Sequence, residues 1–310
     1  MEEKKSKIGC GGCEATLEVL EYAYSKGIRL IDSGFGYQGE GVFDEKLGTF
    51  LEKHKDEREK FFIINKLPLF SDLYMKRFGW HLCDATDEQL DFGIRELLKE
   101  QLEKNKTDYF DAYLFHALFD MKYSNDFDYD KEMALYKRMM KTLLELKKEG
   151  KIKRLGFSAH INYLTLFNFV EEMEAEFGKG VMDVAEVAYN ILNDKGCDQY
   201  HPAIFAKMHN ITVWDAVGEK GLKYLKDKGF TIIDMMPHES GRIYQITHAE
   251  DWTRWANKFV FDCPYIDYVL EGTSYTKHLD DTLIAAGEME DPNPIPDMRV
   301  INSGISHCHE

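Results

Sequence analysis

Short β-rich runs alternate with longer amphipathic stretches of helical pattern, and the alternation is sustained eight times along the chain. The first run is KIGCGG. IRLID ends at Asp32, FFIINK at Lys66, DYFDAYLFH at His116 and IKRLGFS at Ser158. MDVAEVAYN ends near Asn190, FTIIDMMP near Pro237 and IDYVLEG at Gly272. Between them lie helical patterns such as ATLEVLEYAYSKG, DEQLDFGIRELLKEQLEKN, EMALYKRMMKTLLELKKEG and EKGLKYLKDKG. Three of these end in a cation and a glycine, at Lys26-Gly27, Lys148-Glu149-Gly150 and Lys228-Gly229. A cation there meets the negative end of the helix dipole, and glycine supplies the left-handed cap. A β-branched run follows each cap, which marks a return to strand. Strand–helix alternation repeated eight times implies a parallel sheet covered by helices. At this length the sheet is expected to close as a (β/α)8 TIM barrel over residues 1–291, with an irregular Pro-rich tail at 292–310. An open doubly wound sheet is the competing arrangement, but no GxGxxG follows an early strand.

Composition narrows the function classes. The 39 basic and 55 acidic residues give a net charge of −16, which argues against nucleic-acid binding and against anionic membrane surfaces. Hydrophobic residues at 44% and aromatics at 13% can build a large core. The N-terminus, MEEKKSKIGCGG, lacks the apolar segment of a signal peptide, so a cytoplasmic protein is expected. Six cysteines are scattered through the chain, and free thiols are the default in a reducing compartment. Cys10-Gly-Gly-Cys13 has the spacing of a redox pair or a metal half-site, with His307, Cys308 and His309 as possible completing groups. A tight glycine turn bearing two small thiols accounts for it more simply, and no metal is expected.

In such barrels the active site forms at the carboxyl ends of the strands. Asp32, Lys66 and His116 end adjacent strands, and Tyr37 follows in the glycine-containing loop after Asp32. A tyrosine ionises near ~10 and is a poor acid at neutral pH, but a lysine held against its oxygen is expected to lower that value. Asp32 would keep the lysine charged and placed, and a neutral His116 could orient a substrate oxygen. Aromatics after the third and fourth strands (Tyr74, Phe78, Trp80, Tyr123, Phe127, Tyr129) suggest an apolar substrate wall or helix packing.

The stretches GIRLIDSGFGYQ, FFIINKLPL, KTDYFDAYLFHALF, LKKEGKIKRLGFSAH, VAEVAYN and LEGTSYTKHLDD, taken together and in this order, resemble the aldo-keto reductase family. The resemblance is nearest to a bacterial branch that often carries a C-terminal ferredoxin-like module, absent from this sequence. It implies a TIM barrel that reduces aldehydes or ketones with NADP as the carrier, NAD being possible. It also implies a catalytic tetrad of Asp32, Tyr37, Lys66 and His116, with Tyr37 as general acid. Ser158 and Glu186 would meet the nicotinamide carboxamide. Gly272, Thr273 and Ser274, with Lys277 nearby, would bind the adenosine phosphate. Departures from the family pattern fall on the cofactor side: Glu186 replaces a usual Gln, Met235 an aromatic, Tyr275 an Arg and Thr282 an Asn. Two other functions compete. One is a non-redox lyase or isomerase using the same acid–base set; the other is a non-catalytic subunit that binds a metal or a redox partner.

Overall fold

In a computed structural model, residues 6–119, 129–193, 216–247, 252–292 and 294 are described. The expected His307–His309 tail, Cys197, Tyr123 and Phe127 lie outside them. All eight expected strands form: β1 (Ile8–Gly11), β2 (Leu30–Asp32), β3 (Phe62–Leu67), β4 (Phe110–Phe115), β5 (Ile152–Ala159), β6 (Val184–Val187), β7 (Thr231–Asp234) and β8 (Tyr268–Glu271). They are parallel and close in sequence order, β8 pairing with β1 through Ile8↔Val269 and Cys10↔Glu271. The sheet is therefore the expected TIM barrel. The observed strands stop short of the expected runs at β6 and β7, because the chain turns at Ala188 and Met235 to build the rim.

Side-chain alternation sorts each strand into two apolar layers. Leu30, Ile64, Ala112, Leu114, Val184, Ile233 and Leu270 point inward and fill the barrel. The intervening residues, such as Ile31, Ile63, Tyr113, Phe115, Phe157 and Ile232, point outward and pack under the helices. The interior is tight enough that β1 and β5 contribute glycines. A Cβ at Gly9 would stand 2.3 Å from Leu30 Cδ2, and one at Gly156 would stand 1.9 Å from Val184 O.

The helices that cover β2 and β3 are α1 (Leu17–Ser25), α2 (Val42–Lys53), α3 (Ser71–Phe78) and α4 (Asp87–Lys104). Further round lie α5 (Tyr129–Lys148), α6 (Tyr163–Phe177), α7 (Gly218–Asp227), α8 (Arg242–Thr247), α9 (Trp252–Phe261) and α10 (Thr276–Ala285). The punctuation is as read from sequence: Gly27, Gly150 and Gly229 take φ of 84°, 78° and 89°. Met133, Met139 and Met140 are buried in the core, as expected of the methionine-rich helix. Among the described residues no helix is long and apolar enough to cross a membrane.

Candidate active site

The inward alternation that fills the barrel with Leu30 and Ile64 brings Asp32 and Lys66 to the top of the same interior layer. Their placement is fixed from behind by a buried polar network. Asp44 Oδ1, on α2, accepts from Ser33 Oγ at 2.7 Å, Asn65 Nδ2 at 2.8 Å and Asn105 Nδ2 at 2.8 Å. Asn65 Oδ1 accepts from Gln101 Nε2 at 2.9 Å, and Gln101 Oε1 accepts from Tyr113 Oη at 2.6 Å. Ser33 and Asn65 each sit beside a catalytic candidate and face outward, so the network locks the ends of β2 and β3 against α2 and α4. Tyr37 is placed by its loop: its amide donates to Gly34 O at 2.9 Å, and its ring lies over Gly34, where a Cβ would stand 3.0 Å from the ring. Gln38, at φ 62°, donates to Gly12 O at 2.8 Å and ties this loop to the end of β1.

The centre of the site is the Lys66 ammonium, fully buried. It makes a very short contact with Asp32 Oδ1 and lies 2.9 Å from Tyr37 Oη, 3.2 Å from Ser33 O and 3.2 Å from Glu186 Oε1. Tyr37 Oη in turn donates to Asp32 Oδ2 at 3.2 Å. Burial opposes charge on the lysine, but Asp32 and Glu186 outweigh it and hold its pKa above the ordinary value. The Tyr37 phenol behaves otherwise than expected from the lysine alone. Burial first, and then the negative charges of Asp32 and Glu186, push its pKa well above 10.

The His116 ring meets the Tyr37 ring edge-on, with centroids 5.8 Å apart. Its pKa is lowered to about 3 by burial, by Lys66 and by His160, so it is the neutral ring that the sequence argument requires. Its Nδ1 is buried without a hydrogen-bond partner, which leaves an interaction open for a ligand. The loop that carries it turns through Ala117 at φ 56° and is pinned to β5 by Ala117 N donating to Ser158 Oγ at 3.1 Å. Exposed Phe70 stands 5.6 Å from the His116 ring, on the outer side of the mouth.

Asp32, Tyr37, Lys66, His116 and Glu186 are thus brought together, and Ser158 borders them as the register partner of Glu186. Glu186, expected to meet a nicotinamide carboxamide, has one oxygen on Lys66, and the other, buried Oε2, has no hydrogen-bond partner. Gly272, Thr273, Ser274 and Lys277 lie at the end of β8 and the start of α10, apart from the lysine centre. Gly272 is exposed, with nothing within 4 Å of where a Cβ would be, and Ser274 and Lys277 are exposed too. Thr273 is committed internally, its Oγ1 accepting from Tyr275 N at 3.0 Å and meeting His278 Nδ1 at 2.9 Å. The open glycine step, the free His116 nitrogen and the unpartnered Glu186 oxygen fit a nucleotide laid from the mouth to the β8 edge. With that ligand His116 and Ser158 would border the nicotinamide, and Gly272, Ser274 and Lys277 the phosphate end.

Two features escaped the sequence reading. The Asp44–Asn65–Gln101 network is one; its signal is a buried Asn alternating out of the apolar run FIINKL. The other is the placement of Cys13, read from sequence only as half of the Cys10–Cys13 pair: the residue is exposed at the mouth and its thiol lies beside Tyr37 Oη. Although the residue is exposed, its thiol group is crowded by the site, and that burial, with Asp32, pushes its pKa up to about 11, so it is a thiol rather than a thiolate. Cys10 faces the other way, into the core, and is also free. No cluster of His, Cys, Asp and Glu suited to a metal occurs among the described residues.

Residues 13–289 match the model of the aldo/keto reductase family. No curated protein sequence matches the chain. Solved structures share the fold at low identity. An aldo-keto reductase from Bacillus halodurans in its holo form aligns with a TM-score of 0.63 at 14% identity, covering 94% of this chain and 89% of that one. An aldo/keto reductase from Klebsiella pneumoniae, solved with NADP and acetate, aligns with a TM-score of 0.60 at 15% identity, covering 93% and 88%. The match over most of its length and the barrel geometry agree: this chain belongs to the aldo/keto reductase family and so to the NAD(P)H-dependent oxidoreductases.

Proposed function

We propose that this protein reduces an aldehyde or ketone to an alcohol with Tyr37 as the proton donor, NADP being the expected carrier and NAD the second choice. The observation that carries the reading is the contact of the Tyr37 hydroxyl with the Lys66 ammonium and Asp32 at the mouth of a closed barrel. The Klebsiella relative, solved with NADP, supports the choice of carrier.

The reduced nicotinamide supplies a hydride to the carbonyl carbon when bound. Everything else falls to the chain. His116, neutral at ordinary pH, offers a ring nitrogen to orient the carbonyl oxygen. Tyr37 gives its proton to that oxygen as negative charge develops there. Lys66 stabilises the phenolate left behind, through the contact at 2.9 Å. Asp32 holds Lys66 in place, and the network behind Ser33 and Asn65 keeps both strand ends rigid. Ser158, with Glu186 beside it, lies at the nicotinamide end, while Gly272, Ser274 and Lys277 form the phosphate end and Thr273, its hydroxyl committed to Tyr275 and His278, holds their turn. Phe70 beside His116 favours an apolar or aromatic substituent on the carbonyl. The acidic composition and the free thiols fit work in the cytoplasm.

The test is titration with NADPH and NADH by nucleotide fluorescence, followed by NADPH oxidation against a panel of aldehydes. The reading expects saturable binding of at least one nucleotide and aldehyde-dependent oxidation that Tyr37→Phe abolishes. Binding of neither nucleotide would end it.

A further inference from the structure

Lys66 has three N–H bonds and four acceptors within reach. These are Asp32 Oδ1, Ser33 O at 3.2 Å, Tyr37 Oη at 2.9 Å and Glu186 Oε1 at 3.2 Å. The first two belong to β2 and its loop and are there whatever the protonation state. The remaining hydrogen is contested between Tyr37, which needs it as its proton leaves, and Glu186, which needs it when ionised. Glu186 is almost wholly buried, and its other oxygen has no hydrogen-bond partner, so no other group of the chain, among the described residues, stabilises a negative charge on it. We infer that Glu186 is a positioning residue that competes with Tyr37 for Lys66, so that a proton on Glu186 frees the lysine to receive the phenolate and loss of that proton withdraws it. The inference rests on Tyr37 being the proton donor.

The charge count points the same way. With Asp32 and Glu186 ionised and Lys66 charged, the cluster carries one net negative charge, and it carries two once the Tyr37 proton has left. With Glu186 protonated it goes from none to one. In a buried site the second negative charge is the costlier. The step is balanced: the Tyr37 O–H bond breaks, its electron pair stays on the phenol oxygen, the proton goes to the substrate oxygen, and solvent reprotonates Tyr37 after the alcohol leaves. The other groups near Glu186 leave it this role. Its register partners, Ser158 and Ile233, do not titrate, and Asp234 faces outward and accepts from Tyr189 N. His116 and His160 line the β4 and β5 side, and Cys13 and Tyr37 the β1 and β2 side; His116 and Cys13 stay neutral through the range in question. Burial and Asp32 push the Glu186 pKa up to about 8, which puts its proton loss within reach of a rate measurement.

The experiment follows kcat/KM for NADPH-dependent reduction of p-nitrobenzaldehyde against pH in wild type and Glu186→Gln, with Glu186→Ala as the replacement should the glutamine variant not fold. Wild-type activity is expected to fall about tenfold per pH unit above about 8, and the variant to lose that limb and decline only at higher pH. A second readout needs no cofactor: the near-ultraviolet phenolate absorbance of Tyr37, taken as the difference between each protein and its Tyr37→Phe counterpart. The phenolate should appear at lower pH when Glu186 is neutralised. Superimposable rate profiles together with unchanged phenolate titrations overturn the inference while leaving the proton donor in place. Wild-type turnover by Tyr37→Phe overturns the donor and the inference with it.

Discussion

Replacing Lys66 with methionine removes the one cation, among the described residues, within ion-pair distance of Asp32 or Glu186. The lysine side chain is fully buried, and methionine fills nearly the same volume, so little of the effect comes from a cavity. What remains is an uncompensated buried charge, and removing one partner of such a pair costs about 3–5 kcal/mol. The cost depends on pH through Glu186. Its folded-state pKa, pushed up to about 8 by burial and Asp32, lies above its ordinary value of 4.5, so the folded protein keeps a proton that the unfolded chain has released. Stability from this group is therefore fully present below the unfolded value and falls as pH rises through the window from 4.5 to about 8. Lys66 restrains that upward shift, so its loss carries the decline to higher pH. Lys66→Met should thus lose about 3–5 kcal/mol near pH 9, and distinctly less near pH 5, by urea unfolding followed by circular dichroism. Equal stability of variant and wild type near pH 9 would refute the picture of one lysine neutralising two buried carboxyls.

Four other outcomes are expected. Tyr37→Phe should lower turnover by about 10²-fold or more and leave nucleotide affinity within about twofold, as read from NADPH absorbance and fluorescence. His116, held neutral down to about 3, should produce no acidic limb in kcat/KM above pH ~5, and a limb that vanishes in His116→Gln would contradict this. Cys13, a protonated thiol at the mouth, should be alkylated by iodoacetamide more slowly than free cysteine at neutral pH, and more slowly still with NADPH bound, by intact-mass spectrometry; fast labelling would contradict the environment described. Gly156→Ala would place a Cβ 1.9 Å from Val184 O between β5 and β6, and a loss of several kcal/mol should appear as a lowered melting temperature.

The barrel was readable from sequence because its signals are local. Each strand is a short apolar run, three of the preceding helices end on a cation and a glycine, and the glycines at 27, 150 and 229 carry the left-handed φ that this punctuation requires. Asp32, Lys66 and His116 were readable for the same reason, since a strand's end is visible in the chain and the rim is where strand ends meet. The behaviour of Glu186 was not. It sits on β6, three strands from β3, and only the length of the Lys66 side chain reaching across the barrel brings the two within 3.2 Å. The Tyr37 phenol goes against the expected direction because pair logic between a lysine and a tyrosine omits burial, the largest cause, and counts neither Asp32 nor Glu186 against the phenolate. The Asp44 network was missed because outward-facing Ser33 and Asn65 look like ordinary strand polarity until α2 and α4 close over them.

The central claim is that a hydride passes to a carbonyl carbon while Tyr37 delivers the proton. It is tested most directly by turnover with NADPH deuterated at the transferring position of nicotinamide C4, with mass spectrometry of the alcohol. The account predicts one deuterium on the carbinol carbon from the wild-type protein and about 10²-fold less alcohol, or still less, from Tyr37→Phe in the same time. Alcohol without deuterium, or labelled alcohol formed equally well by the phenylalanine variant, would contradict it.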